Sequence, residues 1–584
     1  MAHIGLIREL SDASSLLKSA MNRYTKACAT ILSHFEPSGD AAQDLLDSVL
    51  AELPNAFDCE TNLQQAMGLM YRVRNQSPSY VPISILPPEV MARVIWFSGR
   101  CCLPRSRWDR KSLQPETDLV FPETALQVCH RWRQIALTSH DLWSHIDIDL
   151  LSGSNGSLFR RASAFAENAN QAQIDLHIRI DFFHTDDQRL TDFCRMLAPR
   201  IRSIDFQWNT RSSLPDGPQS LLANLFSSIV PGVLCQFRIN AQPESGFIVA
   251  SDSAPFDRDA CLIQKLPVST RVFEDVLSPI TSMQLNGMYP HWTSRTYAGL
   301  TELDLGVSHN CEIEINITEF ELANILQASP GLRTFCFGLK LSRGLGISSP
   351  IPEPVKLNHL EIIQLTGKHP GTQESVLRMI CPGQLPLRIT TEVTEHFSLM
   401  SPYWSEFISF LARSKTAQLH IRGVAQFKVF LEPSEILPWL RQLQVLNLCG
   451  ISLCRACEEI LGDYDATSFR LLLDNYDHNL HQNLKYVHLV KCRIYWPNFR
   501  HVTEMHPTQT FILNQCELIT TPPKRRVTLF SHRGVDATQM LTGAVRKVCP
   551  VVELNSTYGA FEELGKFELG IHHAQQRYSR LPFY

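Results

Sequence analysis

Long apolar runs are missing from this sequence. No stretch of about 18 consecutive apolar residues, the length a membrane-crossing helix needs, occurs among its 584 residues. The longest candidate, near Val90 to Phe97, is interrupted by Arg93, so no membrane span is expected. The first residues carry Arg8, Glu9 and Asp12 and lack the apolar core of a secretory signal. The expectation is therefore a cytoplasmic or nuclear chain whose 17 cysteines are reduced thiols. On that reading Asn555-Ser556-Thr557 is not a glycosylation acceptor. An excess of one charge is also missing. With 54 basic and 58 acidic residues the net charge is −4, and nothing global points to nucleic acid or an anionic membrane. The motifs GxSxG, HExxH and Walker A are absent, and Gly344 with Gly346 makes only GxG. A hydrolase or transferase whose site is assembled from distant residues stays open as a remote alternative.

What is present is a globular composition, 44% hydrophobic and 19% charged. Residues 1–79 form a helical segment and linker. Ile7, Leu10, Leu16, Leu17 and Met21, then Leu45, Leu46, Val49 and Leu50, sit near helical spacing, and Pro37-Ser38-Gly39-Asp40 separates the two sets. In 80–150, Pro87-Pro88 can open a helix carrying the stripe Val90, Met91, Val94 and Ile95. Residues 99–123 hold prolines and charges of both signs without apolar period, and read as an exposed loop insertion. The helical pattern resumes with Ala125, Val128, Cys129, Trp132, Ile135 and Ala136, and a last short helix is expected to carry Leu142, Trp143 and Ile146. Three short helices cannot hide all these side chains, which predicts a partner surface. Ser152-Gly153-Ser154-Asn155-Gly156 reads as a breaker at the edge of this module.

From about residue 157 to 584 a short pattern recurs: apolar, two variable, apolar, one variable, apolar. It appears at Ile201/Ile204/Phe206, Ile280/Met283/Leu285, Leu300/Leu303/Leu305, Leu332/Phe335/Phe337, Leu360/Ile363/Leu365, Leu443/Leu446/Leu448 and Leu484/Val487/Leu489. Cys492 and Ile494 follow the last copy, and Phe511, Leu513, Cys516 and Leu518 form a weaker one. This is the strand segment of a leucine-rich repeat, each copy needing a neighbour above and below. Side chains such as Leu446, Leu448, Val487 and Leu489 are expected inside, with Asn447 and His488 facing out.

The chemistry-bearing clusters have plainer explanations. Cys454 and Cys457 form a CxxC without a second pair at zinc spacing, so no metal is expected there. Asp181, His184, Asp186 and Asp187 could surround a cation, but they follow the alternating strand Ile174, Leu176, Ile178, Ile180, where a polar loop is the default. Lys524-Arg525-Arg526 is short for a nuclear address and reads as a solvated turn. No catalytic, cofactor-binding or metal residue is assigned.

The segment from Ile83 to Ile148 resembles the F-box family, in its large fungal branch. The residues that carry the resemblance are Leu86, Pro87, Glu89 and Ile95, then Val128-Cys129-His130-Arg131-Trp132-Arg133, then Leu142-Trp143. The insertion at 99–123 departs from the usual spacing, and the helices before the box lack the charged coiled-coil texture common there. The resemblance implies a small all-α F-box followed by an irregular, degenerate leucine-rich-repeat solenoid, an α/β architecture. It implies a non-enzymatic substrate-recognition subunit of a ubiquitin ligase that docks a Skp-type adaptor and, through it, a cullin. The repeats would take a protein substrate, with no cofactor, nucleic acid or membrane. The docking residues carried over are Leu86, Pro87, Val90, Ile95, Val128, Cys129, Trp132, Ile135, Leu142 and Trp143. The same residues could instead pack the helices together. A scaffold that uses the box without degradation is the alternative function.

Overall fold

The computed structural model describes residues 2–35, 42–77, 79, 82–98, 122–149, 155–180, 188–209, 217–242, 246–253, 262–306, 315–342, 352–366, 370–393, 402–423, 429–430, 443–449, 451–453, 485–490, 492–495, 510–514, 517–519, 526–528 and 551–555. They form a mixed α/β protein divided into two compact units, residues 1–139 and 140–584. No helix among the described residues is long and apolar enough to cross a membrane.

The first unit is helical. Helices α1 (Ala2–His34) and α2 (Ala42–Gln76) flank the expected Pro37–Asp40 break, which lies outside the described residues. Helix α2 runs through Pro54, whose missing N–H removes one rung of its ladder. Helix α3 (Pro88–Ser98) starts with proline in its first turn, where a missing N–H costs nothing. The Met91 N–H donates to Pro87 O at 2.9 Å and closes that turn.

The run from Ala125 to Ala136 is not the single helix its spacing predicts. It splits into α4 (Glu123–Val128) and α5 (His130–Thr138), because Cys129 between them is fully extended at φ −160° and ψ 171°. The Arg133 side chain donates from Nε to Leu126 O at 2.8 Å, satisfying a carbonyl that the break leaves open. Ala125, Ile135 and Ala136 join Met91 and Ile95 in the core, while Val128 is exposed. Most of the expected loop, residues 99–121, lies outside the described residues, and Glu123 belongs to α4.

The second unit is built on a sheet of fourteen strands that are all parallel and follow one another in chain order. It begins with His145–Asp149, Ile174–Ile180, Ile201–Asn209 and Gln236–Gln242. It ends with Val445–Cys449, Tyr486–Val490, Thr510–Asn514 and Val551–Asn555. The apolar positions of the recurring pattern lie in register. One row runs from Ile146 through Leu176, Ile204, Phe237, Met283, Leu303, Phe335 and Ile363 to Leu446 and Val487, and all are buried. The next inward row, Phe206, Ile239, Leu285, Leu305, Phe337 and Leu365, is equally closed to solvent. Stacking one apolar side chain per strand in this way gives the unit a continuous core.

Helices connect many of the strands. Helix α6 (Asn155–Ala169), α7 (Gln188–Leu197) and α8 (Gly217–Ser228) come first. Helix α9 (Thr270–Leu277) is capped by Ser269, which accepts from the Val272 N–H. Helix α10 (Glu319–Ala328) opens on a reciprocal cap between Thr318 and Glu321. Helices α11 (Pro370–Met379) and α12 (Pro402–Arg413) follow. Toward the C-terminus short strands, among them Ile451–Leu453 and Arg493–Tyr495, build a second sheet of five.

Two expectations about the start of this unit change. The segment after Trp143 is not helix. A short 3-10 turn, His140–Trp143, leads straight into the strand His145–Asp149, which carries Ile146. Trp143, Ile146 and Ile148 are thus the first copy of the strand pattern, because parallel pairing with the next strand offers each backbone group a partner. The first compact unit ends at Ser139 and the second begins at His140. Asn155 and Gly156, expected as a breaker, open α6; 150–154 lie outside the described residues.

Candidate functional site

Two surfaces gather the side chains that could do work, one in each unit. The first is on α3 to α5. Along α3, Val90, Val94 and Phe97 share one stripe, and Met91 and Ile95 share another about 100° around the helix. The Met91 stripe is buried and the Val90 stripe is exposed. Trp96 stands beside Phe97, ring edge to face at 5.0 Å, and both are exposed. Pro87 is exposed too, Leu86, Cys129 and Trp132 are half-buried, and Val128 is 56% exposed. An apolar surface with this many large side chains open to water is costly unless covered.

The ten docking residues expected from sequence therefore separate. Leu86, Pro87, Val90, Val128, Cys129 and Trp132 keep some or all of their surface accessible. Ile95 and Ile135 are core. Leu142 and Trp143 belong to the second unit, where Trp143 is only 2% exposed and meets Phe165 of α6 edge-on at 5.0 Å. All four are buried in the chain. Val94 is in the apolar stripe expected from sequence but not in the docking set, and Trp96 and Phe97 are in neither. The signal that could have found them is the three-four spacing of Val90, Val94 and Phe97.

The second surface is the face of the sheet opposite the apolar rows. Alternation places polar residues there, again in register. One row runs Asp147, His177, Asp205, Arg238, Gln284, Asp304, Cys336, Gln364, Thr390, His420, Asn447 and His488. Neighbours along it bond across strands. Gln284 Nε2 donates to Asp304 Oδ2 at 2.9 Å, and in the adjoining row Ser282 Oγ donates to Glu302 Oε2 at 2.8 Å. Asn447 and His488 do lie opposite Leu446 and Leu448, but His488 is 7% exposed, so this face is not simply solvated. Burial pushes the His488 pKa down to about 4. Burial, then Arg388 and His488, push His420 down to about 3.

At the first two strands the polar face holds His145, Asp147 and His177, whose donor atoms all lie within 4.8 Å of one another. Burial and the neighbouring His177 push His145 down to about 4, so its imidazole is neutral at neutral pH. Burial disfavours the His177 cation, but the Asp205 carboxylate outweighs it and holds that pKa above its ordinary value. Sequence reasoning passed over this cluster. His145-x-Asp147 puts two donors on one face of a strand, but His177 joins them only through strand pairing.

The other candidates from sequence are not brought to either surface. Cys454, Cys457, the Asp181–Asp187 stretch, Cys516, Lys524 and Arg525 lie outside the described residues. Cys492 is buried with Sγ 3.3 Å from Leu448 O, a core position. In comparisons with known proteins, no family model matches the chain and no curated protein matches it.

Proposed function

We propose that this chain is the substrate-recognition subunit of a Skp–cullin–F-box type ubiquitin ligase. Its three-helix layer α3 to α5 is the F-box, and its sheet unit is an irregular leucine-rich-repeat solenoid that selects a protein substrate. The observation that carries the reading is the exposed apolar stripe Val90, Val94 and Phe97, flanked by Pro87, Trp96 and Val128, on a layer too thin to bury it. Fourteen parallel strands in chain order, seven of them carrying the full L-x-x-L-x-L type segments read in the sequence, support the solenoid. The polar rows on the opposite face supply fixed hydrogen-bonding groups for a partner, set on strands rather than loops. Catalysis is supplied by partners. The chain's own contribution is proximity, since holding a substrate beside a charged conjugating enzyme raises its effective concentration.

Co-purification tests the reading. The wild-type chain should bring down a Skp-type adaptor and a cullin. Leu86→Ala with Pro87→Ala, or Val90→Asp with Phe97→Asp, should lose both partners while keeping the wild-type melting temperature. Unchanged adaptor recovery with either double variant overturns the docking assignment.

A further inference from the structure

We propose that His145 Nε2, Asp147 Oδ1 and His177 Nδ1 are the protein ligands of a divalent-cation site, and that zinc is the ion the donor set fits. The inference stands apart from the substrate-recognition reading, which assigns no metal. Its ground is the geometry of three buried polar atoms. None of the three makes a well-aligned hydrogen bond among the described residues; the nearest approach is Asp205 Oδ2, 3.4 Å from His177 Nδ1. The Asp147 side chain is only 10% exposed. Stranded donors and acceptors of this kind are costly, and three converging on one point are rare unless something binds them.

The distances are close to those a metal requires. Tetrahedral zinc with bonds of about 2.0–2.1 Å sets its ligand atoms about 3.3 Å apart. His145 Nε2 is 3.8 Å from Asp147 Oδ1. The two imidazoles sit with ring centroids 4.0 Å apart. All three donor atoms lie within 4.8 Å of one another, so an ion would draw them together by side-chain movement. Strand pairing holds the site: His145 and Asp147 are two residues apart on one strand, and Asp147 is in register with His177 on the next. Two imidazoles and one carboxylate favour zinc or its neighbours in the transition series over magnesium or calcium, which prefer all-oxygen sites. The fourth position falls to water.

The surroundings suit an ion of charge +2. Asp205 Oδ2 lies 3.4 Å from His177 Nδ1, which adds a second negative charge beside the site. Arg161 Nη1, 3.9 Å from Asp147 Oδ2, faces the other oxygen of that carboxylate and leaves Oδ1 to the ion. The competing occupant is a proton on His177, shared electrostatically between Asp147 and Asp205. A proton leaves His145 Nε2 without a partner, whereas the ion satisfies all three atoms. Bound metal would staple the first strand of the sheet to the second.

The test uses the full chain, stripped with a chelator and dialysed against zinc, then against cobalt(II). Because the chain has 17 cysteines, content is read as a difference between variants. Wild type should hold one more equivalent of zinc per chain than His145→Gln/His177→Gln, and zinc should raise its melting temperature by several degrees. Asp147→Asn, nearly isosteric, should weaken zinc affinity at least tenfold even if the double variant does not fold. The cobalt form should gain visible d–d bands, absent in Asp147→Asn, without thiolate charge transfer. Equal zinc content in wild type and Asp147→Asn, or cobalt spectra showing thiolate ligation alone, would overturn the site.

Discussion

Arg131 donates from Nη2 to Leu86 O at 2.7 Å, so α5 grips the turn from which α3 departs. Forty-five residues separate the two partners in sequence. The bond is charge-assisted and partly buried, and it fixes the position of Leu86 and Pro87 relative to Trp132. Arg131→Ala should cost about 1–2 kcal/mol of stability in thermal unfolding. On the docking proposal it should also weaken adaptor binding, although the guanidinium is spent on the chain's own backbone. Arg131→Lys should recover little, because a lysine cannot reproduce the fork.

The apolar rows predict a contrast between adjacent residues. Phe335 is fully buried in the first inward row, while Thr334 beside it points to the opposite face and is half-buried. Phe335→Ala should destabilise the sheet unit by about 3–5 kcal/mol. Thr334→Ala should change the unfolding free energy by less than about 0.5 kcal/mol. Equal effects in denaturant titrations would show that the alternation has been misassigned.

Acid should loosen the sheet through its buried histidines. An unfolded histidine titrates near 6.5, but His420 and His488 fold with values of about 3 and about 4. Below pH 6.5 the unfolded chain therefore binds more protons than the folded one, so stability falls as pH drops toward 4 and is unaffected above 7. The loss should be roughly 1.5–2 kcal/mol per histidine between pH 7 and 5. His420→Gln with His488→Gln should flatten that slope in unfolding measured across the range.

Gly383 tests a close approach. It follows the strand Ile380–Pro382, and a Cβ there would lie 2.3 Å from Asn358 O and 2.6 Å from Asn358 Cα. Both are backbone atoms and cannot step aside. Gly383→Ala should cost about 1–3 kcal/mol, whereas Gly331→Ala, with open space around the added atom, should be close to neutral.

The strands were legible where leucine-like residues fill all three positions of the pattern, as at Leu300/Leu303/Leu305. They were missed where the first position is not aliphatic or the copy stands alone. Leu142, Trp143 and Ile146 read as a short helix because tryptophan and isoleucine three apart also suit one, whereas Trp143, Ile146 and Ile148 begin the strand pattern. Thr416/Leu419/Ile421 starts on a threonine that is nevertheless buried. The helix break at Cys129 had no proline or glycine to announce it. Around it Arg131 bonds to the carbonyl of Leu86, 45 residues away, and Arg133 to that of Leu126, contacts the local apolar pattern does not reveal. The His145, Asp147 and His177 cluster depends on the register between two strands, and register is a property of the pair rather than of either segment.

The polar row also sets a length scale. Its twelve members, from Asp147 to His488, span eleven interstrand steps of about 4.8 Å, so the row measures about 53 Å along its contour. No metabolite and no single loop spans that distance. A partner that touches both ends must be elongated, and an extended peptide would need about 16 residues to do so. The row is thus a ruler graduated by strand. Removing graduations from its C-terminal end should shorten what it can measure without altering what it reads at the beginning.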